Sequence, residues 1–512
     1  MILLVTAPVV KPSEPPPGIS RILGAMRAHG VGCAAWDANL ECLLGLLHGG
    51  NHSGDRWTAR AVRNVDRNLK NIQAPKGLLN LDRYKRSVSD LNRLLEGPWN
   101  NGAVHVSLTN YQDAGLSPVK SGDLLAAAER PEGNLFYPLF SKSLGELLKV
   151  HGPSVVGFSL NYLSQALTTF AMMGFLRRTE PSLTLALGGG LVTSWMRGPG
   201  WKNPFSGLVD LMIPGSGENP LLSLATGEEM DILPFTHDYS PFLMSEYLSP
   251  GVVIPYSASS GCYWNRCGFC PERAEKNPYV PLHPQRVRAE LRELVEANSP
   301  ALIHLLDNAI SPALLESLAV HPPGVPWYGF ARFTDHLADE EFTVELKRSG
   351  CVMLQLGLES GDQRVLDEEE KGMSLHTASK ALRALKKAGI STYVYVLFGT
   401  PSESPEAARR TLDYVAAHSG VIDFLNLAIF NLPVCSQAAP HLKIKAFYEG
   451  DLSLYTDFTH PHGWDRKKVR LFLDREFKRH PSVSAILKKE PPVFTSNHAP
   501  FFVMGRLPHR KK

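Results

Sequence analysis

The sequence predicts an α/β protein: a doubly wound, Rossmann-like parallel sheet comes first, then a partial (β/α)6 barrel, then a small, mostly helical C-terminal extension. Two patterns and a size argument predict it. Between Val252 and Phe430, runs of strand-like apolar residues alternate with helices of about a dozen residues, the signature of parallel β/α units with right-handed crossovers. The N-terminal end opens with the same alternation, and a chain of 512 residues is too long for one ordinary core.

In order, Ile2 to Val5 is a short buried strand, and Pro15-Pro16-Pro17-Gly18 is a stiff turn. Ile19, Ile22, Leu23 and Met26 then recur at helical spacing up to a C-cap at Gly30. Cys33 to Trp36 is a second strand, and Asp37-Ala38-Asn39 leads into a helix around Leu40 to Leu47. Residues 50–150 break this rhythm with frequent Arg and Asn, weak apolar periodicity and the turn Gly97-Pro98-Trp99-Asn100-Asn101-Gly102, and read as a partly helical insertion with its own small core. Alternation resumes with the strand Ser154 to Leu160, apolar enough to be buried on both faces, a helix from Leu163 to Arg178, and the strand Leu183 to Leu187 running into Gly188-Gly189-Gly190. The strand Leu208 to Ile213 ends in Pro214-Gly215-Ser216-Gly217-Glu218 and a further helix. Strands of a doubly wound sheet that end in glycine-rich loops place ligand sites at their carboxyl ends. No G-x-G-x-x-G follows the first strand, which argues against a nicotinamide or flavin site. The predicted organisation is therefore 1–225 for the first domain, 226–250 for a connector, 251–432 for the barrel and 433–512 for the extension.

Barrel strands are expected at Val252–Tyr256, Ala301–Leu306, Trp327–Ala331, Val352–Leu358, Thr392–Phe398 and Ile422–Phe430. Helices are expected at Pro312–Leu318, Glu340–Lys347, Leu375–Lys387 and Pro405–Ala417, with another around Val287 to Val295. Six strands fall short of the eight of a full TIM barrel, so the barrel is partial and open, with its site in the carboxyl-end loops. Asp307, Arg332, Gly357-Leu358-Glu359-Ser360 and Gly399-Thr400-Pro401 all end strands at that mouth. Taken singly, Asp307 suits a helix cap and Glu359 an ion pair with Arg332.

Composition excludes several classes. The 53 Lys and Arg nearly balance 50 Asp and Glu, for a net charge of +3, so there is no general electrostatic case for nucleic acid. The N-terminus reads as a buried strand rather than a signal peptide, and the apolar stretch 154–176 is interrupted by Asn161, Ser164, Gln165, Thr168 and Thr169, against a membrane span. Seven cysteines without paired spacing suit a reducing, cytoplasmic setting. Cys33 and Cys42 read as buried thiols, Cys435 as a spare one, and His460 and His462 as exposed turn residues.

Cys262, Cys267 and Cys270 lie in one glycine-rich loop, Ser259 to Pro271. Thiolates so close can bind a 4Fe-4S cluster with one iron left free of protein ligands. A zinc site is the rival reading and would need His283 or His304. The loop resembles that of the radical S-adenosylmethionine (SAM) superfamily, whose usual spacing is C-x3-C-x2-C with an aromatic before the last cysteine. Here the spacing is C-x4-C-x2-C, with Phe269 in the aromatic place. Gly261 to Pro271 is similar to members that carry an N-terminal cobalamin-binding domain, and the first domain resembles that domain in its loop order. The resemblance implies a cluster on the three cysteines and SAM contacts from Phe269, Asp307, Arg332, Gly357, Glu359 and Ser360. It further implies a cobalamin held by Gly18, Ser159, Asn161, Gly188, Gly189, Gly190, Gly215, Gly217 and Glu218. The D-x-H-x-x-G lower-ligand motif is absent, so no protein histidine is expected on the cobalt. The implied activity is reductive cleavage of SAM and methyl transfer to an unactivated carbon of a small-molecule or peptide substrate. A reductant such as flavodoxin or ferredoxin would supply the electron. Rearrangement, cyclisation and methylthiolation are alternative outcomes; a non-enzymatic iron–sulfur scaffold would not need the polar ring at the barrel mouth.

Overall fold

A computed structural model describes residues 1–49, 55–74, 80–96, 102–445 and 450–506. They form two compact units, Met1–Val252 together with residues 450–454, and the rest of the chain from Val253. The expected turn at 97–102 lies almost wholly outside the described residues.

In the first unit the alternation becomes β1 (Ile2–Thr6), α1 (Pro17–Ala28), β2 (Cys33–Asp37) and α2 (Ala38–Gly49). After the insertion come β3 (Val155–Ser159), α3 (Leu163–Thr179), β4 (Thr184–Gly188), α4 (Gly190–Arg197), β5 (Leu211–Ile213) and α5 (Glu218–Thr226). All strands pair in parallel in the order β2-β1-β3-β4-β5. The chain steps from β1 to β2 on one side and returns to β3 on the other, which makes a switch point where loops diverge and a ligand can enter. Every residue of β1 is buried because helices cover both faces of the sheet. Gly30, at φ +67 just beyond the end of α1, supplies the left-handed turn expected there.

The insertion is more regular than its sequence pattern. It contains the helices Arg56–Arg63, Val65–Gln73, Leu81–Glu96, Ser121–Glu129 and Tyr137–His151, and an antiparallel hairpin pairing Val104–Val106 with Tyr111–Asp113. Tyr84, Leu91, Leu94 and Leu95 are fully buried, and Arg60 donates to the buried Asp90 at 2.8 Å. Its attachment to α3 needs a glycine: a Cβ on Gly174 would lie 1.9 Å from the Ala128 carbonyl oxygen. The connector also packs on this unit. Tyr239, Phe242, Tyr247 and Leu248 are buried, the Asp238 amide donates to the Ser20 carbonyl and the Tyr247 hydroxyl to Asp37.

The second unit holds β6 (Val253–Tyr256), α6 (Pro284–Asn298), β7 (Leu302–Leu305), α7 (Pro312–Val320), β8 (Trp327–Ala331) and α8 (Glu340–Arg348). It continues with β9 (Cys351–Glu359), α9 (Leu375–Ala388), β10 (Ser391–Phe398), α10 (Pro405–Ala417) and β11 (Phe424–Ile429). The sheet is parallel throughout and runs β11-β10-β9-β8-β7-β6, each strand beside its chain neighbour. Six strands in sequential order with β6 and β11 at the edges form the partial barrel. Helix starts follow sequence chemistry: Ser311, Asp339, Ser374 and Ser404 each cap the following helix with a side-chain oxygen.

The extension packs on β10. Phe398 meets Phe472 and Phe477 at ring separations of 6.0 and 5.1 Å, and the Trp464 indole donates to Glu403 at 2.8 Å. It also holds a small antiparallel sheet of Leu432–Pro433, Tyr455–Phe458 and Ile444–Lys445, and the helices Pro481–Leu487 and Thr495–Arg506, which the sequence reading did not place. Among the described residues no helix is long and apolar enough to cross a membrane.

Candidate active site

The cysteine loop leaves β6 and is closed at its base by an antiparallel bridge that pairs Ser260 with Val280 and Ser259 with Pro281. Gly261, at φ +69, lies against the far side of the loop; a Cβ there would come within 2.3 Å of the Pro278 carbonyl oxygen. The extra residue between the first two cysteines is absorbed by a kink, with Asn265 in the left-handed region at φ +46, a conformation asparagine tolerates better than most residues. Cys270 ends the loop as the residue before a short helix, Pro271–Ala274.

The loop is fastened to the segment that follows β9. The Gly268 amide donates to the Glu369 carbonyl at 2.9 Å, and the Trp264 indole donates to the Glu370 carbonyl at 2.9 Å. The Trp264 ring packs against Gly372, where a Cβ would overlap it at 1.9 Å. Arg332, at the end of β8, places its guanidinium 4.4 Å from the centre of the same ring. It also donates to the Lys371 carbonyl and, at 3.8 Å, to the Cys267 sulfur.

All three cysteines are free thiols, Cys267 buried and the other two half-buried. Burial raises the Cys267 thiol above its ordinary value, opposed by the charges of Lys371 and Arg332. Burial likewise raises Cys270, to about 11. A loop that offers three free thiols, with the Arg332 guanidinium donating to the Cys267 sulfur, fits a cluster that leaves one iron open. Among the described residues, no three His, Cys, Asp or Glu side chains converge as a ready-made single-ion site. The two histidines weighed for zinc have other roles. His283 caps α6 through Nδ1, which accepts from the Gln285 amide at 3.3 Å, and His304 stacks on Tyr328 at 4.3 Å.

The other predicted residues of the mouth lie around this loop, with different partners from those expected. Asp307 is not a helix cap, since Ser311 caps α7. Its carboxylate accepts from the Ala258 amide at 3.1 Å and from the Ser259 hydroxyl, which ties it to the start of the cysteine loop, and burial raises its pKa. Glu359 pairs with Lys371 at 2.8 Å rather than with Arg332. The reason is local: Glu359 has φ +64 and follows a register shift between Gly357 and Glu359, which turns its side chain back over Gly357. A Cβ on Gly357 would meet that carboxylate at 2.3 Å and the Lys371 ammonium at 2.7 Å, so a side chain here would displace the ion pair from its present place. Ser360 is buried and its hydroxyl accepts from the Asp362 amide and meets Thr411 at 3.2 Å, bracing the turn from below. Phe269 is half-buried, with the Lys371 ammonium 5.6 Å from its ring centre.

Beside the mouth lies a cluster the sequence reading did not single out. Glu403 is 1% exposed, and burial pushes its carboxyl up to about 7 although it accepts from the Gly399 amide at 2.6 Å and from Trp464. Glu369, raised by burial, accepts from the Ser402 hydroxyl at 2.6 Å. His460 is not exposed: it is buried and its pKa lowered by burial. Its Nε2 faces the Thr400 carbonyl at 2.8 Å and its Nδ1 the His462 amide at 3.1 Å, so the neutral Nε2–H tautomer satisfies both. Cys435 is half-buried, with its thiol raised by burial.

In the first unit, the loops at the carboxyl ends of the strands form one connected edge. Asn161 donates to the Ser159 hydroxyl at 3.0 Å and accepts from the Gly190 amide at 2.9 Å. A Cβ on Gly18 would lie 3.9 Å from the same Ser159 hydroxyl. Gly189, at φ +111, approaches the Leu160 backbone so closely that a Cβ would lie 2.4 Å from its carbonyl oxygen, and Gly188 accepts from the Leu160 amide at 2.8 Å. Gly215, at φ +76, donates to Thr193 at 2.8 Å. Gly217 precedes α5, and Glu218, its first residue, is buried in an ion pair with Arg21 of α1. Glu218 thereby ties the start of α5 to α1 instead of presenting a free carboxylate.

Comparison with known proteins bears on both units. The Radical SAM superfamily model matches residues 256–415. An anaerobic magnesium-protoporphyrin IX monomethyl ester cyclase from Rubrivivax gelatinosus is 26% identical over 249 residues, 45% of this chain and 44% of the cyclase. A protein named an uncharacterized methyltransferase from Pyrococcus horikoshii is 23% identical over 308 residues, 53% of this chain and 66% of its own. This chain thus spans less than half of that cyclase. Among solved structures, the radical SAM methyltransferase TsrM from Kitasatospora setae, with cobalamin and a 4Fe-4S cluster bound, superposes at a TM-score of 0.52. It has 15% identity, covering 84% of this chain and 75% of TsrM. The cobalamin-dependent radical SAM enzyme OxsB superposes at 0.50 with 13% identity, covering 83% of this chain and 52% of OxsB. The three-cysteine loop, the ring of strand ends around it and the matched span together identify residues 256–415 as a radical SAM domain, in a chain with the fold of TsrM and OxsB.

Proposed function

We propose that this chain is a cobalamin-dependent radical SAM enzyme that methylates an unactivated carbon. The observation that carries the reading is the Cys262-Cys267-Cys270 loop, buried at Cys267 and fastened at several points to the carboxyl edge of a matched radical SAM barrel. When bound, a 4Fe-4S cluster and SAM supply a 5′-deoxyadenosyl radical and methylcobalamin supplies the methyl group.

The chain's own residues orient and shield. Cys262, Cys267 and Cys270 would hold the cluster, while Asp307 and Glu359 would offer carboxylates to the methionine ammonium, a charge-assisted pairing favoured at a half-dry site. The Phe269 backbone would face the adenine. Arg332, which already meets Cys267, Lys371 and Trp264, is assigned to holding the loop rather than to the methionine carboxylate. In the first unit Gly18, Ser159, Asn161, Gly188–Gly190, Gly215 and Gly217 line an edge with little side-chain bulk, suited to a large flat corrin held mainly by backbone. Arg21 and Glu218 brace that edge. The electron would come from a small low-potential donor such as flavodoxin or ferredoxin.

A second reading, oxidative ring closure, is favoured by the partial likeness to the Rubrivivax gelatinosus cyclase. Anaerobic reconstitution distinguishes the outcomes. The proposal expects about four irons per chain, a bound-corrin absorption band and 5′-deoxyadenosine on reduction with SAM, with iron lost in Cys267→Ala. Deoxyadenosine without bound corrin would remove the methyl-transfer reading, and tetrahedrally bound zinc would remove both.

A further inference from the structure

Lys371 lies in an acidic run, Glu368-Glu369-Glu370-Lys371-Gly372, that reads as a solvated surface loop, yet the residue is 5% exposed. Two of its groups face the cysteine loop or its supports. Its ammonium binds Glu359 at 2.8 Å and stands 5.6 Å from the Phe269 ring centre, while its carbonyl accepts from Arg332. Arg332 in turn reaches the Cys267 sulfur at 3.8 Å and covers the Trp264 ring at 4.4 Å. Two cations are thus buried against the cysteine loop, one at the Cys267 sulfur and one at the Phe269 ring, and Arg332 meets a sulfur, a carbonyl and a ring in place of a carboxylate.

The plain alternative is a structural salt bridge between Lys371 and Glu359. It accounts for one cation only, and a buried ion pair is weak evidence of stabilisation, since apolar side chains of similar size often serve as well. Among the described residues the second cation, Arg332, pairs with no Asp or Glu and reaches the Cys267 sulfur at 3.8 Å instead, and a metal-bound cysteine is a thiolate.

We propose that Lys371 and Arg332 form a fixed cationic brace beneath Cys267 that holds the cysteine loop and raises the potential at which a cluster on it accepts one electron. This rests on the 4Fe-4S reading given above. The reduced cluster carries one more negative charge than the oxidised one; buried Arg332 at the Cys267 sulfur and buried Lys371 at the Phe269 ring favour the reduced state, and Glu359 opposes them.

The test is a potentiometric titration of the full-length, anaerobically reconstituted protein, with dithionite as the electron source, no SAM, and the reduced cluster followed by electron paramagnetic resonance. Lys371→Met is expected to load iron as wild type does and to show about a tenfold lower ratio of reduced to oxidised cluster at a fixed potential, equivalent to about 59 mV. Lys371→Arg is expected to stay near wild type. Glu359→Gln removes the opposing charge and is expected to shift the other way, and it decides the matter if Lys371→Met fails to hold iron. Wild-type potentials in both Lys371→Met and Glu359→Gln would overturn the brace while leaving the cluster intact. A wild-type protein that takes up no cluster would instead overturn the reading on which the brace rests.

Discussion

Replacing Glu403 by glutamine tests whether burial, rather than hydrogen bonding, governs the carboxylates behind the barrel mouth. Glu403 is 1% exposed, and its carboxyl is pushed from the usual 4.5 up to about 7, chiefly by desolvation. Its two donors, the Gly399 amide and the Trp464 indole, share Oε2, and Oε1 has no partner. The folded state therefore holds this proton more tightly than the unfolded state. The group costs nothing below about pH 4.5, its cost grows as pH rises, and it is complete above about pH 7. At 1.36 kcal/mol per unit the full effect is about 3 kcal/mol. Glutamine keeps an acceptor for both donors and removes the titration, so its own effect is a constant offset, including about 1–3 kcal/mol if its buried amide lacks a partner. Urea denaturation followed by tryptophan fluorescence between pH 4.5 and 8, wild type against Glu403→Gln, gives the difference directly. His460, whose lowered pKa works in the opposite sense by losing stability as pH falls below its usual range, is common to both proteins and largely cancels. Wild type should lose about 3 kcal/mol relative to the variant across the window. Parallel profiles would refute the reasoning, because they would mean that hydrogen bonds to the carboxylate already offset its burial.

Two further substitutions probe the packing that shapes the sites. Gly372→Ala places a methyl on the Trp264 ring at a backbone position of φ +66. It should detach the cysteine loop from the segment after β9, with at least tenfold weaker iron retention against a chelator and a loss of about 2 kcal/mol or more; iron retention equal to wild type would show that Trp264 is not a fastening point. Arg21→Met leaves Glu218 buried without its partner, and breaking such a pair costs about 3–5 kcal/mol. Corrin retention on gel filtration should fall sharply in that variant, and unchanged retention would separate this ion pair from the proposed cobalamin edge.

How much of this was legible in the sequence depended on whether a feature is set by local chemistry or by distant packing. The barrel strands were readable because strands buried on both faces are continuous apolar runs, and helix α10 was placed at Pro405–Ala417 because Ser404 and Pro405 announce its start. Strands of two to four residues in the extension, such as Leu432–Pro433 and Tyr455–Phe458, carry no period to detect. The helix Thr495–Arg506 is masked by the proline inside it, Pro500. The insertion's first helices keep an apolar stripe but on a strongly polar background, with residues such as Asn68 and Asp90 buried and paired, and that low apolar content hides them.

The same division runs through the candidate site. Cysteine spacing is legible because one cluster must be reached by thiols on one loop, so the chemistry is written within nine residues of chain. The partner of Glu359 is not legible in that way. Arg332 was the natural candidate when both were placed at strand ends, but the left-handed turn at Glu359 and the bare Gly357 beneath it bring Lys371 in from an acidic segment instead. That lysine is buried because the Trp264 ring packs on Gly372 and its indole bonds the Glu370 carbonyl, holding the segment against the cysteine loop. Its charge state, its partner and its position beside Cys267 are thus consequences of a packing contact that no periodicity or propensity encodes, and a tryptophan–glycine pair more than a hundred residues apart in sequence sets the electrostatics of the cysteine loop.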